Sequence, residues 1–272
     1  KKGRLNPGQE AFLRKGIKQD TNSFINAISN FYNIETHQLI KLVLKNITPL
    51  LFIKLNQGEL IKIFSENKFK ITNINHFKLW CKTYNEFVKF LQISNIEETK
   101  DKKVKLLINV YYAFENFKKY LGDFNIQKDI NLLWHLFSIE TSWLNPNGLN
   151  ILILEKTVEL NKDKLKILCP NNGDPSILYT ENSPLYLILK TDDIYEPIIY
   201  TKADKKTKEY ESIELNSDNL PQDKINIISD LIDIFNTQCV EEPDLFKIGK
   251  NQNINYSELL TFNKLNSLLS FD

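Results

Sequence analysis

Residues 20–28 read Asp20-Thr21-Asn22-Ser23-Phe24-Ile25-Asn26-Ala27-Ile28, and the fold assignment of the whole chain turns on them. Phe24, Ile25 and Ile28, with Phe31 one turn further on, recur at the spacing that lays apolar side chains near one face of a helix. Polar residues stand just ahead of this run, so Ser23 or Asn22 is the expected N-cap. Many unrelated proteins have an N-capped amphipathic helix of this kind. What gives this one meaning lies downstream.

Helical spacing continues to about residue 140. In 36–44 the stripe is Leu39, Ile40, Val43 and Leu44, and it ends near Pro49. Segments 57–65 and 77–91 keep the period. The longest helix is expected at 105–121, where Leu106, Val110, Ala113, Phe114 and Phe117 recur and Gly122 is the stop signal. One more short helix is expected at 130–137, carrying Trp134.

After Pro146 the period changes. Short apolar runs at 149–155, 165–169 and 185–190 are bounded by Asn, Gly, Asp and Pro, and read as strands. The first and third are apolar enough to be buried on both faces. A fourth strand is expected at 197–202 and a fifth at 210–215, joined as a hairpin through the charged segment 203–208. Helical spacing returns at 222–239, and 257–269 is a candidate for a last helix. With no internal repeat and no linker rich in Gly, Pro or Ser, the expectation is a single α+β domain over 1–272: a helical N-terminal half packed on a small, mostly antiparallel sheet.

The totals exclude several classes. The net charge of +1 gives no global attraction to nucleic acid or anionic lipid. No apolar run approaches the ~20 residues that span a bilayer, so no membrane partner is expected. Cys81, Cys169 and Cys239 are an odd, widely spaced set without a CxxC, read as reduced, largely buried thiols of an intracellular protein. The chain holds no methionine and begins at Lys1, the expectation for a fragment of a larger protein, and its wealth of Asn, Ile and Lys fits an AT-rich genome.

A thiolate nucleophile works best at a helix N-terminus, where the helix dipole lowers its pKa and backbone amides can hold an oxyanion. A histidine must reach it as general base. The 20–28 segment resembles the signature of the ovarian-tumour (OTU) family of papain-like deubiquitinating cysteine proteases: Asp, Gly, a variable residue, Cys, two bulky residues, a variable residue, Ala, Ile. Asp20, Asn22, Phe24, Ile25, Ala27 and Ile28 agree, while Thr21 replaces the glycine and Ser23 the nucleophile. Trp134, Gly148 and the strand at 150–154 echo the family's middle pattern. The family closes on a strand, a histidine, an aromatic and a second short strand. Here Tyr195 matches the aromatic and Ile194 stands in the histidine's place. The resemblance therefore implies an OTU-like fold with both catalytic positions lost, a pseudo-protease. An engineered Cys-to-Ser trap would have kept the histidine. The degenerate site positions are Asp20, Ser23 and Ile194, and the groove candidates are Asn22, Phe24, Asp193, Tyr195 and Glu196.

The chain also resembles, over nearly its whole length, a region of large proteins from nucleocytoplasmic giant DNA viruses. The shared pieces lie in order at 13–25, 114–121, 148–155, 167–170 and 195–198, followed by Cys239 and Pro243. Some of those proteins are described as similar to the large subunit of a poxvirus early transcription factor. This resemblance implies a binding or scaffolding module of a larger viral protein, linked to early transcription or the virion, in host cytoplasm or virion. Its first expected partner is a ubiquitin-like protein or another viral protein. Two alternatives stand beside it: an OTU deubiquitinase whose nucleophile was mutated to Ser23, and a nucleic-acid-binding part of a viral transcription factor.

Other constellations carry little. His37, His76 and His135 are scattered without an i, i+4 pair or HExxH, and read as structural or surface residues. Asp192, Asp193 and Glu196 with Lys190 and Glu155 could suggest a nuclease-like metal centre, but a solvated loop between strands is preferred. Basic runs at 100–105 and 202–208 interleave acids and lack a stacking platform. No phosphate loop occurs among the 8 glycines. No cofactor or metal is expected.

Overall fold

The structure, a computed structural model of the chain, describes residues 9–18, 20–65, 71–98, 101–159, 162–170, 183–203, 210–213, 215 and 220–239. The period change near Pro146 is a real boundary between helices and strands. A strand β1 (Glu10–Arg14) is followed by α1 (Ser23–Phe31), α2 (Thr36–Asn46), α3 (Pro49–Lys54), α4 (Glu59–Phe64), α5 (Ile74–Thr83), α6 (Asn85–Phe90), α7 (Lys102–Gly122) and α8 (Ile130–Ser138). Then come β2 (Asn150–Glu159), β3 (Lys162–Leu168), β4 (Leu185–Thr191), β5 (Ile194–Ala203), β6 (Tyr210–Ile213) and α9 (Gln222–Cys239). The fold class is α+β, with eight α-helices in the N-terminal half among the described residues.

The chain forms two compact units, Thr36–Leu136 and Lys1–Glu35 together with Phe137–Asp272. The first is helical and built around α7. Asp101 caps α7 by accepting from the Lys103 amide at 2.6 Å and the Val104 amide at 3.3 Å. Along it Val104, Leu107, Ile108, Tyr111, Phe114, Phe117 and Leu121 are buried. Phe52 of α3 meets the ring of Phe117 tilted at 5.3 Å and that of Phe114 edge-on at 5.6 Å, and Trp80 of α5 meets Tyr111 edge-on at 5.4 Å, the edge-on pairs being a geometry that aromatic quadrupoles favour.

One local expectation in this unit gains a detail and one needs correction. Pro49 does not merely end α2; it opens α3 at the first-turn position where its missing N–H costs nothing, with Thr48 Oγ1 accepting from the Leu51 amide at 3.2 Å. The single helix expected at 77–91 is two, broken at Tyr84, whose φ of −106° and ψ of 43° are non-helical. Between α3 and α4, Asn56, Gln57 and Gly58 are all left-handed, at φ 47°, 54° and 83°. That turn is pinned by the Asn56 amide donating to His135 Nδ1 at 2.9 Å and by Asn56 Nδ2 donating to the Asn131 carbonyl at 2.7 Å.

The second unit holds the sheet, in order β1-β5-β4-β2-β3, with β6 also paired to β5. Only the β2–β4 pair is parallel among the pairings described; the rest are antiparallel. The strands expected to be buried on both faces occupy the middle. Ile151–Leu154 of β2 and Leu185–Leu189 of β4 are buried throughout. β1 was not foreseen. It pairs with β5 in the register Phe12↔Tyr200, where the two rings stand 5.8 Å apart. The tight hairpin is β4–β5, turned on Asp192-Asp193 with Thr191 opposite Ile194. Asp192 takes φ 54°, a conformation a short polar side chain tolerates.

The cysteine expectation is overturned. Cys169, just past β3, and Cys239, the last residue of α9, form a disulfide with Cα atoms 5.2 Å apart. Their separation of 70 residues gave no hint that the ends of these elements meet. Of the three, only Cys81 is a free thiol, and it is buried. Among the described residues no helix is long and apolar enough to cross a membrane. The helix expected at 257–269, the segment 204–208 and Pro243 lie outside the described residues.

Candidate functional site

The site is the junction between the start of α1 and the β4–β5 hairpin, both in the sheet unit. Asp20 organises the approach. Its Oδ1 accepts from the Asn22 amide and from Asn26 Nδ2, both at 2.9 Å, and its Oδ2 lies 3.1 Å from Lys18 Nζ. The Asp20 carbonyl accepts from the Ser23 amide at 3.1 Å, and Asn26 Nδ2 also donates to the Lys18 carbonyl at 3.1 Å. Burial works to raise the Asp20 pKa. The Asn22 amide, Lys18 and Asn26 together outweigh it and hold the carboxyl below its ordinary value.

Ser23 is the first residue of α1 and only 4% exposed. Of the two expected caps, Asn22 holds the N-cap position and Ser23 is already inside the helix. Its hydroxyl donates across 170 residues of chain to the Asp193 carbonyl at 2.9 Å. Asn22 occupies the N-cap position without a capping side-chain bond, so the folded approach is Asp20's work. Next to this bond, Phe24 packs edge-on against Tyr195 at 5.5 Å and against Phe137 at 6.1 Å. The hydroxyl bond and the aromatic contact seat α1 on the hairpin turn and the first residues of β5.

The remaining residues singled out from the sequence divide by strand alternation. Tyr195 faces α1, so Ile194 and Glu196 turn to the opposite face. Glu196, 7% exposed, lies with Oε2 3.1 Å from Arg14 Nε of β1. Ile194 is half-buried at the hairpin. Thus Asn22, Ser23, Phe24, Asp193 and Tyr195 are brought together, whereas Glu196 belongs to an ion pair with Arg14. The acids considered as a metal centre are dispersed as well. Asp192 and Asp193 are exposed at the turn, and Glu155 is paired with Lys190 and lies 3.6 Å from Lys166. Burial opposes ionisation of Glu155, but the two lysines prevail and lower its pKa. Among the described residues no three His, Cys, Asp or Glu side chains gather into a metal-holding group.

Among the described residues, the partner that the Ser23 hydroxyl takes is a carbonyl and not an imidazole. All three histidines lie at 37, 76 and 135, so the unit that carries Ser23 contains none. His76 Nδ1 is bonded to the Tyr111 hydroxyl at 2.6 Å, and His135 Nδ1 accepts from Asn56. The Ser23 proton points at a carbonyl, and the Asp20 carboxylate is occupied by three partners. What sequence reading missed here are Phe137, Lys18 and Asn26. Asn26 was within the quoted segment but at its variable position, where nothing marked it as Asp20's partner. No protein-family model, no curated protein and no solved structure matches the chain.

Proposed function

We propose that this chain is a non-catalytic, OTU-like protein-binding or scaffolding module of a large giant-virus protein, linked to early transcription or the virion. The observation that carries the reading is the Ser23 hydroxyl donating to the Asp193 carbonyl at the start of α1. The residue in the nucleophile's place is thereby used to fasten a helix to a hairpin, in a unit with no imidazole to activate it. The exposed rim of this junction, the Asp192-Asp193 turn, is the first docking surface to consider for a ubiquitin-like or viral protein partner.

The test uses Ser23→Cys together with the unchanged chain. Neither is expected to be labelled by a ubiquitin probe carrying a thiol-reactive C-terminal electrophile, while ubiquitin itself is expected to give saturable shifts in a titration. Robust labelling of Ser23→Cys overturns the non-catalytic reading in favour of a deubiquitinase. Absence of any saturable shift rejects the ubiquitin-like partner. A gel shift with steep salt dependence would instead support the nucleic-acid alternative.

A further inference from the structure

We propose that the Cys169–Cys239 disulfide is a reversible thiol-exchange latch on the C-terminal turn of α9, with Cys169 as the site attacked. Three observations carry it. First, the bond joins two element ends, one residue past β3 and the last residue of α9, so it ties the C-terminal end of that helix to the end of that strand. Second, the two partners differ in access: Cys169 is exposed whereas Cys239 is 9% exposed. Third, the apolar anchors of α9, Ile228, Leu231 and Phe235, stop one turn short of Cys239, and Thr237 and Gln238 between them are exposed. Beyond Phe235 the disulfide is the fastening that the described residues show.

The chemistry balances with a low-molecular-weight thiol of the glutathione class. Its thiolate attacks Cys169 Sγ, the Cys169–Cys239 bond breaks, and the Cys239 sulfur leaves as a thiolate that takes up a proton. A second thiol then attacks the small-molecule sulfur of the mixed disulfide. It leaves as the oxidised disulfide and Cys169 regains its thiol. The protein gains two electrons and two protons, and two small thiols are oxidised. Cys81 is no competitor, because burial pushes its thiol up to about 11 and keeps it protonated. Opening the latch frees the last turn of α9, while the sheet keeps its own packing.

The experiment is hydrogen–deuterium exchange with mass spectrometry on the intact chain, equilibrated in oxidising and reducing glutathione buffers. On reduction, the amides of Asn236, Thr237, Gln238 and Cys239 are expected to exchange at least about tenfold faster, and to recover on reoxidation. Amides of Leu185–Leu189 should stay protected in both buffers. The Cys169→Ser/Cys239→Ser variant should show the fast pattern in either buffer, and Cys239→Ser alone should carry a glutathione adduct on Cys169. Failure to recover a linked 169–239 peptide without reductant overturns the proposal. So does unchanged exchange on reduction, or loss of protection in β4 as well, which would make the bond a staple of the whole unit.

Discussion

Replacing Ser23 by alanine tests the hydroxyl's task directly. The side chain is 4% exposed and its hydroxyl donates to the Asp193 carbonyl at 2.9 Å. A neutral hydrogen bond contributes about 0.5–1.5 kcal/mol net, and a buried acceptor left unpaired costs about 1–3 kcal/mol. Asp193 is itself exposed at the turn and the bond is only part-buried, so the lower part of that range applies. Alanine returns a few tenths of a kcal/mol through helix propensity, about 0.3 at most at a first helical position. The expected net loss is therefore about 1 kcal/mol. With a urea slope of about 3 kcal/mol/M, the unfolding midpoint should fall by about 0.3 M with the slope unchanged. Hydrogen exchange should quicken first at the β4–β5 turn, since that is where α1 is fastened. Ser23→Cys, a weaker donor, should fall between the two. A midpoint for Ser23→Ala equal to or above the parent's refutes the reasoning. The hydroxyl would then be idle, and available for some other task.

Further outcomes follow from the neighbouring contacts. Phe24→Ala should cost about 3–5 kcal/mol by urea unfolding, because a side chain 1% exposed loses both Phe137 and Tyr195; Phe24→Leu should cost much less. The Asp20 pKa is lowered in the folded state, so its contribution to stability is complete above the unfolded value near 4 and disappears as pH falls through the lower folded value. Asp20→Asn should accordingly be less stable than the parent at pH 6, with the gap closing below pH 4; a constant gap speaks against the ionised scaffold. Arg14→Ala leaves the Glu196 carboxylate buried and unpaired, and should cost about 1–3 kcal/mol more than the Arg14→Ala/Glu196→Gln pair, as measured by thermal or urea unfolding. Gln57→Gly should be neutral or stabilising by about 0.5 kcal/mol, since Gln57 is exposed at φ 54° and glycine takes that conformation without strain.

The parts of this fold that the sequence announces are those where period alone decides. α7 and α9 appear within three residues of their expected ends, because a full apolar stripe has to be buried on one side. β2 and β4 appear because runs such as Leu185–Leu189 are too apolar for an edge. β1 escaped for the opposite reason: five residues with two buried positions carry almost no periodic signal, and its partner β5 is far along the chain. The stripe at 36–44 does end near Pro49, but the start of α3 there is not announced, because proline ends one helix and begins another by the same property. At the site, the segment around Ser23 and the turn before Tyr195 could each be picked out, and they do meet. How they meet was not legible. A cap and a donor to a distant carbonyl call for the same serine, and only the position of Asp193 separates them. Glu196 was grouped with Tyr195 by proximity in sequence, although adjacent strand residues face opposite ways. The disulfide was dismissed on spacing, which says nothing about two ends that converge in space.

The pairing of β1 with β5 has a consequence for how the polypeptide comes into being. As the chain leaves the ribosome, residue 12 has to wait for residue 200 before its ladder can form. All of Thr36–Leu136 emerges in the interval, a contiguous stretch that forms a compact unit of its own and has no need to wait. The helical unit can therefore mature while the first strand, with its buried Ala11 and Phe12, is still an unpaired edge. Transplanting Glu10–Arg14 to a point after β6 would shorten that wait, and should raise the yield of folded protein during rapid expression.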